Sequence, residues 1–362
     1  VPPGRDVLRV VRIYSVCDCP SGSHPVCCKH APLVPGSIMT NVSPSSSPLD
    51  WTSLPTGQHR HRFGNATLGF DAWIWRGAPG PVLLVNGATH GDEYEGPTLL
   101  RQWIDTWNPT DLRGTVILVP VLNEAAFGAR QRFHPVDGEN LARAFPGTGD
   151  GSSTSQLAHL FDTKVLAHAT HYVDLHSGGL ALELHPWVGY IVGGGTERNA
   201  TQRAMAACFD SFWCWAGPFL PGRTLSAAFT RKVAAIYAEC RGAGGVLPED
   251  LAALNRGLQN LLIELGCVTG PKPTLADQPF HQSIEAEETH LQAHHPAPHA
   301  GTFEPLVELR DTVEATAKLG SVQPDDGGPS TAIYAETGGT IVLRRYEPAV
   351  QSGDALFVIV PL

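Results

Sequence analysis

Residues 81–100 read PVLLVNGATHGDEYEGPTLL. The opening run Pro81–Val85 is apolar without a break, the mark of a strand covered on both faces. From Gly96 to Trp107 the apolar residues Leu99, Leu100, Trp103 and Ile104 fall at helical spacing. Between strand and helix lie His90, Asp92, Glu93 and Glu95, one histidine and three carboxylates within six residues. Such carboxylates repel one another and are costly to bury unless something positive sits among them.

The same alternation recurs along the chain. GTVILVPVLN (114–123), HYVDLHSGG (171–179) and KVAAIYAEC (232–240) read as further buried strands, TLGFDAWIWR (67–76) as an alternating one, and Leu182–Val192 as another. Helices are predicted over Ser153–Ala169, Thr196–Phe209 and 247–266, the last with Pro248 near its start and Gly266 at its close. Strands alternating with helices imply an α/β fold with a mainly parallel sheet flanked by helices. In such sheets, sites gather at the carboxyl ends of the strands. His90–Glu95, Asn123, His176 and Glu239 all fall there.

After about residue 271 the texture changes. HLQAHHPAPHAG (290–301) reads as a connector; its four histidines are also metal-ligand candidates, but a proline-rich segment holds ligands poorly. The short β-like pieces GTFEPLVEL, STAIYAETGGTIVLRR and GDALFVIV follow, parted by Gly, Asp and Pro, and predict a small all-β, barrel-like domain over 286–362.

The chain has 362 residues, 42% of them hydrophobic and 17% charged, which is ordinary for a globular protein. The net charge of −10 argues against a nucleic-acid surface, and no apolar run is long enough to span a membrane, so a cytoplasmic protein is expected. Residues 1–50 lack periodicity and read as a disordered or spurious extension, with Met39 a plausible start and the first 38 residues dispensable. The alternative for that stretch is a zinc knuckle made by Cys17, Cys19, Cys27 and Cys28 with His24 and His30, although the spacing fits no standard finger. Cys208, Cys214, Cys240 and Cys267 are expected to be buried free thiols.

A catalytic zinc site takes three protein ligands, two His and one Glu being a known set, and leaves a position for water. His90 and Glu93 are three residues apart and so lie on one side of a turn, yet H-x-x-E alone also describes a helix start with acids at its positive end. His176 ends the strand segment VDLH. Asp174 points to the same face and could orient its imidazole. RQRFHPVDGENLARAFPG (130–147) adds Arg130, Arg132 and Arg143, candidates for carboxylate or oxyanion contacts.

Taken in order, HGDE, DGENLARAFPG, DLHSGG and AIYAECRGAGG resemble the succinylglutamate desuccinylase/aspartoacylase family, zinc enzymes with a carboxypeptidase-like fold. The wording is most similar to a branch that includes N-acetyl-diaminobutyrate deacetylases. The resemblance runs from about residue 60 to the C-terminus and includes the small β domain; it implies a zinc-hydrolase domain over 51–285. It implies one zinc per chain, held by His90, Glu93 and His176. It makes Glu239 the catalytic base, Arg132 the group that polarises the oxyanion, Arg143 the receiver of a substrate carboxylate and Asn140 a substrate contact. Glu264 lies inside the helix 247–266 and is set aside. Ala142 stands where the family commonly has Asn, which puts the usual substrate subset in question.

The reaction so implied is hydrolysis of the amide of a small N-acyl amino acid. A carboxypeptidase acting on peptides and a non-catalytic binding protein of the same fold are the alternatives. The β domain is expected to cap the mouth of the cavity in a deacylase and to leave it open in a peptidase. The acyl group, the amine and the oligomeric state are not legible.

Overall fold

The computed structural model describes residues 53–274 and 294–361, with two further short strands at Thr40–Asn41 and Phe280–Gln282. The readings made above for the cysteine-rich N-terminal stretch and for the domain boundary at 285–286 lie outside the described residues.

A ten-stranded mixed sheet runs in the order β1-β2-β3-β5-β4-β6-β10-β8-β9-β11. Its members are β1 (Thr40–Asn41), β2 (Gly57–Gly64), β3 (Gly69–Arg76), β4 (Ala78–Asn86), β5 (Arg113–Val119), β6 (His171–Ser177), β8 (Trp187–Ile191), β9 (Trp213–Gly217), β10 (Ala234–Cys240) and β11 (Phe280–Gln282). The central strands β5, β4, β6 and β10 are mutually parallel, whereas β3 and β8 join them antiparallel.

The unbroken apolar runs are explained by two cores. Leu83 and Val85 face one core with Val116, Leu118, Val173 and Leu175, while Leu84 faces the other with Ile117, Val119 and Tyr172. Period-two alternation thus sends neighbours to opposite sides, and both sides are covered. Helices α1 (Glu95–Thr106), α4 (Thr196–Ala207) and α6 (Pro248–Glu264) cover the first core. Helices α3 (Ser153–Lys164) and α5 (Thr224–Thr230) cover the second. A short helix α2 (Glu124–Ala129) follows β5.

The segment Leu182–Val192 is two strands, not one. Strand β7 (Leu182–Leu184) ends before His185-Pro186, and β8 begins after it in a different sheet. Proline has no N–H to offer the ladder, which is why the pairing changes there. Strand β2 and the pair β9–α5 have no counterpart in the sequence reading.

The C-terminal strands are β12 (Gly301–Pro305), β13 (Thr312–Val313), β14 (Lys318–Pro324), β15 (Thr331–Tyr334), β16 (Gly339–Arg345), β17 (Ala349–Val350) and β18 (Phe357–Val360). They form two small antiparallel sheets around Phe303, Leu319, Ile341 and Phe357. They are not a free appendage, because β16 pairs antiparallel with β7 from Leu343↔Leu184 to Arg345↔Leu182. Around this seam Leu182, Leu184, Trp187 and Trp215 pack with Val342, Leu343, Val358 and Val360, and Arg344 bonds Glu183 at 2.7 Å.

Part of the expected connector is ordered structure. His295 is buried, its Nδ1 is 3.1 Å from the Phe357 carbonyl, and its ring lies edge-on to Phe357. No helix among the described residues is long and apolar enough to cross a membrane, and the four described cysteines are free and buried.

Candidate active site

The site is built at the carboxyl ends of β4, β6 and β10, and register does much of the building. In the parallel pairing, Asn86 of β4 lies opposite Asp174 of β6, and His176 of β6 lies opposite Glu239 of β10. Two residues separate Asp174 from His176, so both side chains emerge on one face.

The glycines after each strand let their loops touch. Gly242 has φ +79°, and a Cβ placed on it would lie 2.5 Å from the Cα of Gly178. No side chain fits there, so DLHSGG and ECRGAGG meet backbone to backbone.

The three carboxylates of the opening stretch divide their work. Glu93 faces inward, with Oε1 2.7 Å from His90 Nδ1 and Oε2 2.9 Å from His176 Nδ1. The Arg132 guanidinium donates to Glu93 Oε1 at 3.0 Å, and the Ser177 N–H to Oε2 at 3.2 Å. Glu95, on the first turn of α1, accepts the Gly242 N–H at 3.0 Å. Asp92 lies against Gly179 and accepts the Leu180 N–H at 3.5 Å. Asp92 and Glu95 therefore tie down the loops that follow β6 and β10, and burial raises the pKa of both.

His90, Glu93 and His176 form a group of the kind that holds a metal ion, their ligand atoms lying within 4.8 Å of one another. The outer ring nitrogens are already engaged. Asp174 Oδ2 is 2.9 Å from His176 Nε2, and Asn140 Oδ1 is 3.0 Å from His90 Nε2. Each imidazole is thus oriented from behind with Nδ1 turned toward the shared centre, the arrangement ligating histidines adopt.

Asp174 is itself fully buried and accepts from Asn86 Nδ2 (2.9 Å), Thr89 Oγ1 (3.1 Å) and Thr224 Oγ1 (2.5 Å). Electrostatics agree with a cation-ready centre. Burial and the nearby Arg132 push His90 down to about 4, which keeps it neutral. Burial alone would raise the Glu93 carboxyl, but His90 and His176 outweigh it and hold it well below the usual range. Burial would lower His176, but Asp174 and Glu93 raise it well above the ordinary value.

Beside this centre opens a cavity of about 380 Å³ lined by His90, His176, Glu239, Arg132, Arg143 and Ala142 among others. Burial, reinforced by the Glu93 and Asp174 charges, pushes Glu239 up to about 8 against the opposing pull of His176 and Arg132. The Arg143 guanidinium is pushed down to about 10 by burial and by the nearby Arg223 and Arg132.

The seven residues given a role by the family resemblance thus come together, with one qualification, whereas Arg130 closes α2 and is not among the cavity's lining residues. The Asn140 carbonyl is committed to His90 and to the Ala142 N–H at 2.9 Å, so only its amide nitrogen remains to meet a substrate. Asn123 is not part of the cavity lining; its side chain caps α2 by accepting the Ala126 N–H at 3.2 Å.

Arg223, Thr224, Tyr190, Trp215 and Tyr237 also line the cavity and were missed by the sequence reading. Arg223 occupies the position just before α5, without a side-chain capping bond, in a stretch where no element was predicted. The available signal was Gly222-Arg223-Thr224 placed just before an apolar helix that leads into the Glu239 strand. None of the described lining residues comes from the C-terminal strands, which therefore do not cap the cavity.

Residues 79–265 match the family model of the succinylglutamate desuccinylase/aspartoacylase catalytic domain. The N-alpha-acetyl-L-2,4-diaminobutyric acid deacetylase of Halomonas elongata is 31% identical over 284 residues, 77% of this chain and 82% of that protein. The product-bound structure of the ectoine utilization protein EutE (DoeB) from Ruegeria pomeroyi is similar with a TM-score of 0.76 at 26% identity, covering 86% of this chain and 98% of that one. A succinylglutamate desuccinylase from Silicibacter sp. TM1040 gives 0.74 at 26% identity, with 85% and 96% covered.

Proposed function

The chain belongs to the succinylglutamate desuccinylase/aspartoacylase family, and from that premise we propose that it is a zinc-dependent hydrolase of the amide bond of a small N-acyl amino acid. The observation that carries this reading is the convergence of two back-oriented imidazoles on one carboxylate, with Glu239 in register beside His176. His90, Glu93 and His176 fit one zinc ion: two imidazole nitrogens, that of His176 once the ion displaces its proton, and a carboxylate oxygen, with no fourth protein ligand grouped with them among the described residues. The chemistry such an ion supplies when bound is polarisation of the scissile carbonyl and acidification of water.

The protein's own groups do the rest. Glu239 takes a proton from the attacking water and delivers it to the leaving amine. Burial holds the Glu239 carboxyl above the usual carboxylate range, which strengthens it as a proton acceptor. Arg132, which also grips Glu93, is placed to stabilise the developing oxyanion. Arg143 receives the substrate's free carboxylate, and Arg223 on the same cavity wall joins it. Among the described residues Arg223 makes no side-chain hydrogen bond or ion pair, and Arg143 bonds only its neighbour's carbonyl. Two guanidinium groups without a protein carboxylate partner make a receptor for an anionic group.

A carboxypeptidase would use the same centre. The C-terminal strands leave the cavity uncapped, the feature expected of a peptidase; what supports the deacylase reading is a cavity of about 380 Å³, which suits a small amide. The deacetylase named among the relatives acts in the same direction. Both readings are separated by measuring amine release from N-acetyl, N-succinyl and N-formyl amino acids, with dipeptides alongside. Activity should vanish with chelator and return with one zinc per chain. Full activity in a metal-free preparation, or cleavage of dipeptides alone, would overturn the proposal.

A further inference from the structure

The Halomonas relative is named for a substrate with a side-chain amine, which is an ammonium near neutral pH. The cavity here offers such a group little. Among the described residues the only carboxylates that line it are Asp174 and Glu239. Asp174 is fully buried and already paired with His176, Asn86, Thr89 and Thr224. Glu239 is occupied by the proton transfers. Against them stand Arg132, Arg143 and Arg223, three cations on the same lining.

Much of the remaining wall is apolar or aromatic, with Thr224 and the Tyr237 hydroxyl as polar exceptions. Tyr190, Ile191, Trp215, Leu220 and Leu225 line it, and each is at least nine-tenths buried. Leu220 and Leu225 flank Arg223 in the chain. Arg143 and Arg223 share one lining with these residues, so a group attached beside a carboxylate held there has this wall as its apolar neighbour in the cavity. The amino acid's own side chain is so attached, whereas the acyl group lies across the scissile bond. Ala142, next to Arg143, adds no polar contact.

We propose that the substrate's side chain is uncharged and apolar, a claim that rests on the deacylase reading and narrows it. Burying an ammonium with no carboxylate partner is unfavourable. A methyl group in its place gains from contact with the wall. A single α-carboxylate satisfies the Arg143–Arg223 pair, and Arg132 is held by Glu93, so an acidic side chain finds no further receptor.

The test compares N-acetyl-L-norvaline with N-acetyl-L-2,4-diaminobutyrate, which match in heavy-atom count and differ in a terminal methyl or ammonium. With the zinc-loaded full chain, kcat/KM should favour the norvaline compound by at least about 100-fold. N-acetyl-L-aspartate should also trail it. Equal or better use of the diaminobutyrate or aspartate compound overturns the inference. Leu220→Glu, which places a carboxylate on the wall, should narrow the ratio; a folded, zinc-loaded variant with an unchanged ratio counts against it. If no N-acetyl, N-succinyl or N-formyl amino acid is turned over, the deacylase reading falls, and calorimetric binding of the same amides decides the side-chain question alone. Tighter binding of the norvaline compound keeps the inference, and tighter binding of either charged one ends it.

Discussion

Replacing Asp174 by Asn keeps the shape of the side chain and removes its charge. In the native site Oδ1 faces two donors, Asn86 Nδ2 and Thr89 Oγ1, and Oδ2 faces Thr224 Oγ1 and His176 Nε2. An amide has one accepting end. If its NH2 takes the Oδ1 position, it meets the Asn86 amide, which cannot turn round because its own oxygen accepts the Tyr172 hydroxyl at 2.6 Å. If its NH2 takes the Oδ2 position, His176 must accept at Nε2 and carry its proton on Nδ1, the nitrogen turned toward Glu93. Either way a buried polar group is frustrated, at a cost of about 1–3 kcal/mol. The second arrangement also blocks ligation. Loss of a partner behind a ligating histidine typically weakens metal binding about 10–100-fold, and that is the effect expected for zinc. Competition against a chromophoric chelator reads the affinity, and thermal unfolding of the metal-free protein reads the structural share. A folded Asp174→Asn protein with native zinc affinity would refute the assignment of Asp174 as the group that orients His176.

Glu239→Gln should retain one zinc per chain and lose turnover by at least about 100-fold, since it removes the base without changing its size; metal analysis and amine release check the two halves separately. The same loss from Glu264→Gln instead would refute the assignment of the base to Glu239 on β10. Gly242→Ala should destabilise the fold by about 1–3 kcal/mol, because alanine there is strained at positive φ and its Cβ would strike Gly178; a native melting temperature would show that the two loops separate freely.

The central strands were legible because both of their faces are covered, so each shows as an apolar run. The edge strand β2 was not. Its sequence is GQHRHRFG, and the positions that face inward are His59, His61 and Phe63, each 5% exposed or less. Burial lowers the pKa of His61, so a histidine serves there as a neutral core residue and the alternation is hidden from any hydrophobicity pattern. The site was legible to the extent that its residues follow strand ends. His90, Glu93, His176 and Glu239 do so, and strand register brings them together. Arg223 does not: it sits between β9 and α5, whose short lengths left too little periodicity to recognise. The roles of Asp92 and Glu95 were invisible for another reason. Which of three adjacent carboxylates faces a histidine, and which accepts a loop N–H, depends on the conformation of the turn after β4.

The seam between β7 and β16 bears on how this chain can be cut. The family match ends at residue 265, and a fragment stopped there would lose β16 entirely. It would leave Leu182, Leu184, Trp187 and Trp215 without Val342, Leu343, Val358 and Val360, beside a strand whose ladder partner is gone. An apolar patch next to an open strand edge is a template for self-association. The excised catalytic part would be a sticky protein rather than a minimal enzyme, and an expression strategy that trims it to the matched residues invites inclusion bodies.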